Sequence, residues 1–150
     1  MQRWFSLAIF IFVVVGGGLL IGATNIPGTW YLGLEKPMLT PPGWLFAPVW
    51  TVLYILIAIA GWRTWLRGGL SPAFSVWALQ MGLNFAWSPA VFSAHELGLG
   101  LGIIAAMLAT ILVFTRMRWA QDRVAALCFV PYALWVTFAT YLNAGLLLLN

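Results

Sequence analysis

Long apolar runs separated by short polar breaks divide the chain into five parts. A membrane-spanning helix needs about 20 mostly apolar residues, and each run reaches that length. The runs predict helices over residues 5–26, 45–66, 72–94, 97–117 and 124–149. Only the connection 27–44 is long enough to have its own structure. The pattern predicts an all-α membrane protein in which residues 1–150 form one five-helix transmembrane bundle.

The first apolar run admits two interpretations, a cleaved signal peptide or a retained helix. Arg3 precedes the run and small residues follow it, as in a signal peptide. The apolar stretch is longer than that of a usual signal peptide, and four further runs follow it. We therefore expect a retained transmembrane helix.

Composition supports the membrane class, because 63% of the residues are hydrophobic and only 7% are charged. Soluble domains carry about 25% charged residues, and a soluble fold of this size could not bury so much apolar surface. The seven basic residues are scattered and form no basic stripe, so we expect no nucleic-acid partner. The single cysteine, Cys128, belongs to no metal-binding motif, and we expect no metal site.

Charge differs between the two sides of the predicted bundle. One side combines Asp122 with six basic residues: Arg3, Arg63, Arg67, Arg116, Arg118 and Arg123. The other side has Lys36, Glu35 and Glu96. Because cytoplasmic loops carry an excess of Lys and Arg, we expect the N-terminus inside, and the loop 27–44 and the C-terminus outside.

The third predicted helix has two opposed faces. Small residues recur at every fourth position and allow another helix to approach closely; they are Ala78, Gly82, Ala86 and Ala90. This small-residue ridge could bind a second protomer or pack within its own chain. On the opposite face, Gln80, Asn84 and Trp87 are expected to point into the bundle, because amides facing lipid are costly.

Three prolines lie within predicted helices and are expected to kink them, because proline lacks a backbone donor. They are Pro48, Pro89 and Pro131. Kinked helices with inward polar and aromatic groups predict a cavity that opens toward the outer side.

Four of the ten tryptophans lie inside predicted spans rather than at their ends: Trp77, which is interpreted as a lipid-facing or packing residue, and the candidate site residues Trp50, Trp87 and Trp135. The site residues have two interpretations. Core packing is one interpretation, and a flat apolar ligand held between aromatic faces is the other. Such sites combine apolar walls with a few fixed polar groups. The candidate polar groups here are those of Tyr31, Tyr54, Gln80, Asn84 and Asn143.

Conventional catalytic chemistry has little support in the sequence. No nucleophile–base pair is visible, and the one histidine, His95, lies beside Glu96 in a short loop. A lone histidine without a partner motif is a weak signal for haem ligation, so we expect His95 to be a solvated loop residue.

Four motifs follow one another along nearly the whole chain. They read W-Y-x-x-L-x-K-P from Trp30, P-P-x-W-x-F-x-P-x-W-x-x-L-Y from Pro41, N-x-x-W-S-P from Asn84 and F-V-P-Y-x-x-W from Phe129. Each motif alone is weak, but together they are highly specific. The chain resembles the TspO/MBR family, which includes tryptophan-rich sensory proteins, translocator proteins and peripheral-type benzodiazepine receptors.

The resemblance implies a five-helix bundle that commonly forms homodimers, with an apolar pocket beneath the first loop. It implies binding of porphyrins, haem-type tetrapyrroles and synthetic benzodiazepine-type ligands, with no obligatory cofactor. The pocket residues that the family motifs imply here are Tyr31, Trp50, Asn84, Trp87 and Trp135, with Pro41 and Pro42 in a lid. We expect a multi-pass protein of a bacterial cell membrane.

Two positions depart from the family pattern. Met38 and Leu39 follow Lys-Pro where many relatives carry aromatic residues. The family's sterol-binding stretch has a basic residue after a tyrosine, but no basic residue follows Tyr141 here. We therefore do not expect cholesterol binding.

Three functions follow from these expectations. The first is tetrapyrrole binding in transport, sensing or regulation of porphyrin metabolism. The second is light-dependent porphyrin degradation, in which the resemblance implicates Trp50 and Trp135. The third is a membrane scaffold that needs no ligand.

Overall fold

The computed structural model describes residues 2–150, which form helices and contain no strand. The first helical stretch consists of α1 (Gln2–Ile11), a π-helical turn (Phe12–Gly16) and α2 (Gly17–Thr24). The connection that follows contains the short helix α3 (Thr29–Gly33) and a 3-10 turn (Gly43–Leu45). The remaining helices are α4 (Phe46–Gly68), α5 (Pro72–Ser88), α6 (Leu97–Arg118) and α7 (Arg123–Leu149), with a π-helical turn over Pro89–Ser93.

Four helical stretches are long and apolar enough to cross a membrane: Arg3–Thr24, Gly43–Gly68, Leu97–Arg118 and Arg123–Leu149. Helix α5 has only 17 residues and continues directly into the π-helical turn. That turn begins at Pro89, whose missing N–H cannot extend an α-helical hydrogen-bond ladder. The helical stretches of the structure begin and end within a few residues of the five apolar runs, and α5 with its π-helical turn corresponds to the third run.

The helices pack in a ring. Helix α1 packs against α4, α4 against α7, α7 against α6, and α6 against α5; α2 contacts α5 and closes the ring. Several glycines allow close approach; for example, a Cβ at Gly18 would collide with the Tyr54 ring and one at Gly61 with the Trp77 ring. The fully buried Phe114 and Phe129, with ring centroids 4.2 Å apart, join α6 to α7.

The prolines affect their helices unequally. Pro89 marks the change from α- to π-helix, whereas Pro131 lies within α7, which continues unbroken to Leu149. The predicted kink at Pro48 is wrong: Pro48 is the third residue of α4. Backbone N–H groups in the first turn of a helix have no intrahelical acceptor, so proline removes no hydrogen bond there.

An ionic cluster holds together the helix ends that carry most of the arginines. Asp122, buried at the N-cap of α7, pairs with Arg63 at 2.9 Å and with Arg67 at 2.8 Å, and accepts from the Ala125 N–H. Burial alone would raise the pKa of the Asp122 carboxyl. Hydrogen bonds from Arg63 and Ala125, with the two arginine charges, instead hold that pKa below its usual range. We call this end of the bundle the arginine end.

Candidate functional site

Four polar side chains from three helices form a hydrogen-bonded network at the centre of the bundle. Tyr54 donates its hydroxyl to Asn84 Oδ1 at 3.1 Å. Asn84 Nδ2 donates to the Tyr132 hydroxyl at 2.8 Å, which in turn donates to Gln80 Oε1 at 2.9 Å. We call these four residues the central network. It links α4, α5 and α7, because each amide or hydroxyl oxygen finds its partner on a neighbouring helix.

Gln80 and Asn84 were predicted as polar contacts for a ligand, and in the structure both form hydrogen bonds within the protein. Gln80 is fully buried and Asn84 is 6% exposed. Their oxygens already accept hydrogen bonds from tyrosines, and buried polar groups in proteins are normally paired in this way. The inward orientation predicted for both amides is confirmed, but both are committed to partners within the protein.

A second polar pair joins α5 to α7. Trp87 Nε1 donates to Asn143 Oδ1 at 2.9 Å, and Asn143 Nδ2 donates to the Leu97 carbonyl at 3.1 Å. Asn143 is only 1% exposed. Its predicted ligand-binding amide therefore positions Trp87 and holds the beginning of α6.

Aromatic rings connect the loop 27–44 to the bundle. Tyr31 on α3 meets Phe92 edge-on at 5.1 Å, and Trp87 meets the same ring at 5.4 Å. Lys36 Nζ lies 4.5 Å from the centre of the Tyr31 ring. Burial raises the pKa of the Tyr31 hydroxyl, so Tyr31 remains neutral. Two predicted site residues, Tyr31 and Trp87, are thus brought together through Phe92.

The loop is fastened across the end of α7. Tyr141 donates its hydroxyl to the Met38 carbonyl at 2.8 Å. The Asn150 side chain accepts from the Glu35 N–H at 2.9 Å and donates to the Glu35 carbonyl at 3.1 Å. Pro41 is half-buried and Pro42 is exposed beyond these attachments. The two predicted lid prolines therefore lie in a loop with fixed anchors on one helix.

Trp50 faces the central network rather than an open space. Its ring lies 5.4 Å from that of Tyr54 and 6.2 Å, edge-on, from that of Tyr132. Trp50 is half-buried and covers the network on the α4 side.

Trp135 differs from every other predicted site residue. Its ring packs edge-on against Phe46 at 5.7 Å and at a tilt against Phe138 at 5.8 Å. Its Nε1 is buried and has no hydrogen-bond partner among the described residues. A buried donor left unpaired costs about 1–3 kcal/mol. Trp135 is thus the one predicted site residue with a buried polar atom that no group in the described part of the chain satisfies.

An open groove of about 760 Å³ lies between α4 and α7 beside Trp135. Its lining is apolar and consists of Trp44, Leu45, Pro48, Val49, Val52, Leu53, Pro131, Leu134, Trp135 and Phe138. Of the ten residues predicted to bind a ligand, only Trp135 lines it. We call this space the α4–α7 groove.

Sequence reasoning missed two residues that organise the site, Tyr132 and Phe92. Tyr132 is fully buried and completes the central network, and Phe92 joins Tyr31 to Trp87. Two inward amides, Gln80 and Asn84, needed partners, and a tyrosine inside the fifth apolar run was an available signal. Phe92 had no such signal, because its position depends on the π-helical turn.

The small-residue ridge of α5 is largely free in the described chain. Ala78, Gly82 and Ala86 are exposed, and a Cβ at Gly82 would meet nothing within 4 Å. Ala90, the last member of the predicted ridge, is buried within its own chain. An open close-packing surface therefore covers three of the four predicted positions.

Comparison with known proteins gives one consistent family. The model of the TspO/MBR family matches residues 8–149. The chain is 34% identical to Protein CrtK of Rhodobacter capsulatus over 97% of this chain and 94% of that protein. It is 42% identical to the tryptophan-rich protein TspO of Archaeoglobus fulgidus, over 81% and 80% of the two chains. It is 31% identical to the translocator protein of Homo sapiens, over 84% and 79%.

Proposed function

Because the chain is a multi-pass membrane protein that belongs to the TspO/MBR family, we propose that it binds a tetrapyrrole of the protoporphyrin or haem type within the membrane. In this proposal the ligand occupies the α4–α7 groove, and binding serves transport, sensing or regulation of porphyrin metabolism.

The unpartnered indole N–H of Trp135 is the observation that carries this proposal. A tetrapyrrole with carboxylate side chains brings hydrogen-bond acceptors on a flat apolar ring system. An acceptor placed on Trp135 Nε1 would remove the cost of a buried, unpaired donor. Among the described residues, the central network offers no comparable group, because none of its buried polar atoms is left without a hydrogen-bond partner.

The size and lining of the α4–α7 groove also suit such a ligand. Small-molecule sites are commonly about 300–1,000 Å³ and mostly apolar with few polar groups, and this groove measures about 760 Å³. It opens between two helices, so a lipid-soluble ligand can enter it sideways from the membrane. The aromatic rings of Trp44, Trp135 and Phe138 provide flat surfaces along its walls.

The test is a titration of purified protein with protoporphyrin in dim light. Porphyrin absorbance is followed rather than tryptophan emission, because the variants change the number of tryptophans. Trp135→Phe keeps an aromatic ring but removes the donor, and we expect roughly tenfold weaker binding. Val52→Trp fills the groove with a bulkier side chain and should weaken binding further.

Two controls locate the ligand. Val113→Trp places the same bulky residue at an exposed position of α6, away from the groove, and should leave affinity unchanged. Trp87→Phe removes the Asn143 hydrogen bond beneath the loop, and it should weaken binding only if the ligand lies there. Wild-type affinity in both Trp135→Phe and Val52→Trp would refute the groove as the site.

We also propose that the helical stretch from Pro72 to Ser93 is a fifth membrane span. Five spans would place the arginine end inside, following the excess of basic residues, and the loop 27–44 and the C-terminus outside. The test replaces Cys128 by Ala and introduces single cysteines at Met38 or at Gln121, whose labelling by a membrane-impermeant thiol reagent reports the side on which each lies. Labelling of both positions from the same side of sealed vesicles would contradict it.

A homodimer formed through the small-residue ridge of α5 completes the proposal. The exposure of Ala78, Gly82 and Ala86 supports it, because small residues let two helices approach closely in lipid.

A further inference from the structure

Arg118, the last residue of α6, carries a buried charge that no carboxylate neutralises directly. It is 4% exposed. Its Nε donates to Thr64 Oγ1 at 3.2 Å, and its guanidinium also donates to Gln121 Oε1 at 2.9 Å. A terminal nitrogen also donates to the Thr64 carbonyl at 3.5 Å, and all three acceptors are neutral. A buried charge that lacks a counter-charge costs several kcal/mol, so the site favours a nearby anion.

The nearby acid Asp122 does not meet this need. Its carboxylate is shared between Arg63 and Arg67 at 2.9 and 2.8 Å. With Arg118, the cluster holds three guanidinium charges against one carboxylate, which leaves two positive charges uncompensated at the arginine end.

A pocket of about 220 Å³ lies beside these groups. Its lining includes Arg67, Arg118, Gln121, Gly68 and Ser71. Arg67 is half-exposed, and one of its terminal nitrogens donates to the Gln121 carbonyl at 3.0 Å. The volume is several times the roughly 30 Å³ that one water occupies, so a tetrahedral oxyanion with some of its water fits.

The chemistry of this lining selects phosphate over a simple halide. Guanidinium groups present planar forks of donors that match phosphate oxygens. The Ser71 hydroxyl can donate as well, and Ser71 caps the beginning of α5, where the helix dipole favours negative charge. Basic pockets between transmembrane helices are known to bind anionic lipid head groups.

We propose that this pocket binds a phosphate group, supplied either by an anionic phospholipid head group or by a free phosphate. The anion lies against Arg118 and Arg67 and neutralises the charge that Asp122 leaves unpaired. This site is separate from the α4–α7 groove and does not depend on the function proposed for that groove.

The proposal is tested by thermal unfolding of the delipidated protein in neutral detergent. The melting temperature in inorganic phosphate is compared with that in chloride at equal ionic strength. We expect phosphate to raise the apparent melting temperature by roughly 2–4 °C. A parallel experiment compares nanodiscs of phosphatidylcholine with nanodiscs of phosphatidylcholine and phosphatidylglycerol. Stabilisation by phosphatidylglycerol alone identifies a lipid head group, and stabilisation by inorganic phosphate alone identifies a soluble anion.

The decisive variant is Gln121→Glu, which supplies a carboxylate where Arg118 now donates to an amide oxygen. It should fold, raise the melting temperature without any added anion, and lose the response to both phosphate sources. Arg116→Gln is the matched control, because Arg116 lies on the same helix end but does not line the pocket; it should respond like the wild type.

Two results would overturn the proposal. One is the absence of stabilisation by either phosphate source in the wild type. The other is an equal response in the wild type and Gln121→Glu, which would mean that the anion acts elsewhere on the protein.

Discussion

The centre of the bundle and the α4–α7 groove both contain aromatic side chains that carry a polar atom, but the two regions differ in whether that atom has a partner. At the centre, Tyr54, Asn84, Tyr132 and Gln80 satisfy one another across three helices. In the groove, Trp135 has a buried N–H without a partner. The polar groups of the centre therefore stabilise the bundle, whereas the Trp135 N–H receives no such stabilisation from residues 2–150.

Removing the central hydroxyl should have the largest effect on stability. Tyr132→Phe leaves Gln80 Oε1 and Asn84 Nδ2 without their partners in a buried site. We expect a loss of about 2–3 kcal/mol for the two bonds together, since one hydrogen bond between membrane helices contributes up to about 1–2 kcal/mol. Thermal unfolding in detergent measures it as a lower melting temperature.

Tyr141→Phe is the matched control, because it also deletes a tyrosine hydroxyl, but at an exposed position. There Tyr141 bonds the Met38 carbonyl of the loop, which water can satisfy instead, so we expect a loss below about 0.5 kcal/mol. Equal losses in the two variants would mean that the central network is not a special source of stability.

The sequence predicted the helices and the inward faces well, because apolar length and small-residue spacing are local properties. It also placed Gln80 and Asn84 inside the bundle, as confirmed by their burial. Which of the inward groups remain available to a ligand depends on contacts between helices. In the structure the Tyr132 hydroxyl bonds to both amides, and this contact between helices is seen only in the three-dimensional packing.

Pro48 lies in the first turn of the predicted helix 45–66 as well as of α4, so the absence of a kink there could have been predicted from the sequence. The groove could not be predicted in this way. The α4–α7 groove is lined by residues about 80 positions apart in sequence, such as Val52 and Leu134, and no local pattern reports their proximity.

Acidification should lower the stability of the charged arginine end but not of the neutral centre or groove. This is the next largest expected loss of stability. The pKa of Asp122 is lower in the folded protein than its usual value. Its contribution to stability is therefore complete above about pH 4, the usual Asp pKa, and is lost as the pH falls through the lower folded value. We expect a loss of roughly 1–2 kcal/mol in unfolding experiments over this range.

Asp122→Asn provides the control for that titration. The variant should be less stable at neutral pH, and its melting temperature should change less between pH 5 and 3. If the wild type and Asp122→Asn lose stability in parallel on acidification, another carboxyl group controls the transition.

A pair of tryptophan variants sharpens the comparison at a smaller scale. Trp77 donates its indole N–H to the Ile57 carbonyl at 3.0 Å, whereas the Trp135 N–H has no acceptor. Replacement by Phe removes a similar volume in both cases. We expect Trp77→Phe to cost about 1 kcal/mol more in unfolding free energy than Trp135→Phe. A larger loss for Trp135→Phe would mean that its indole already has a partner in the protein.

The two faces of α5 repeat the comparison, and here the smallest change in stability is expected. The inward face holds Gln80 and Asn84, which are bonded within the chain, whereas Gly82 on the opposite face has open space around it. Gly82→Leu should change the unfolding free energy of the monomer by less than about 0.5 kcal/mol, since no contact is disturbed and helix propensity improves. Its bulk should nevertheless separate two ridges that pack closely.

Crosslinking in detergent and in nanodiscs, at matched protein concentration, measures that separation as a lower dimer fraction. Gly102→Leu is the control, because Gly102 on α6 is also exposed and open but lies outside the ridge; its dimer fraction should equal that of the wild type. A wild-type dimer fraction in Gly82→Leu would exclude this face of α5 as the interface. Loss of dimer in Gly102→Leu alone would instead place the interface on α6, whose small residues are similarly spaced.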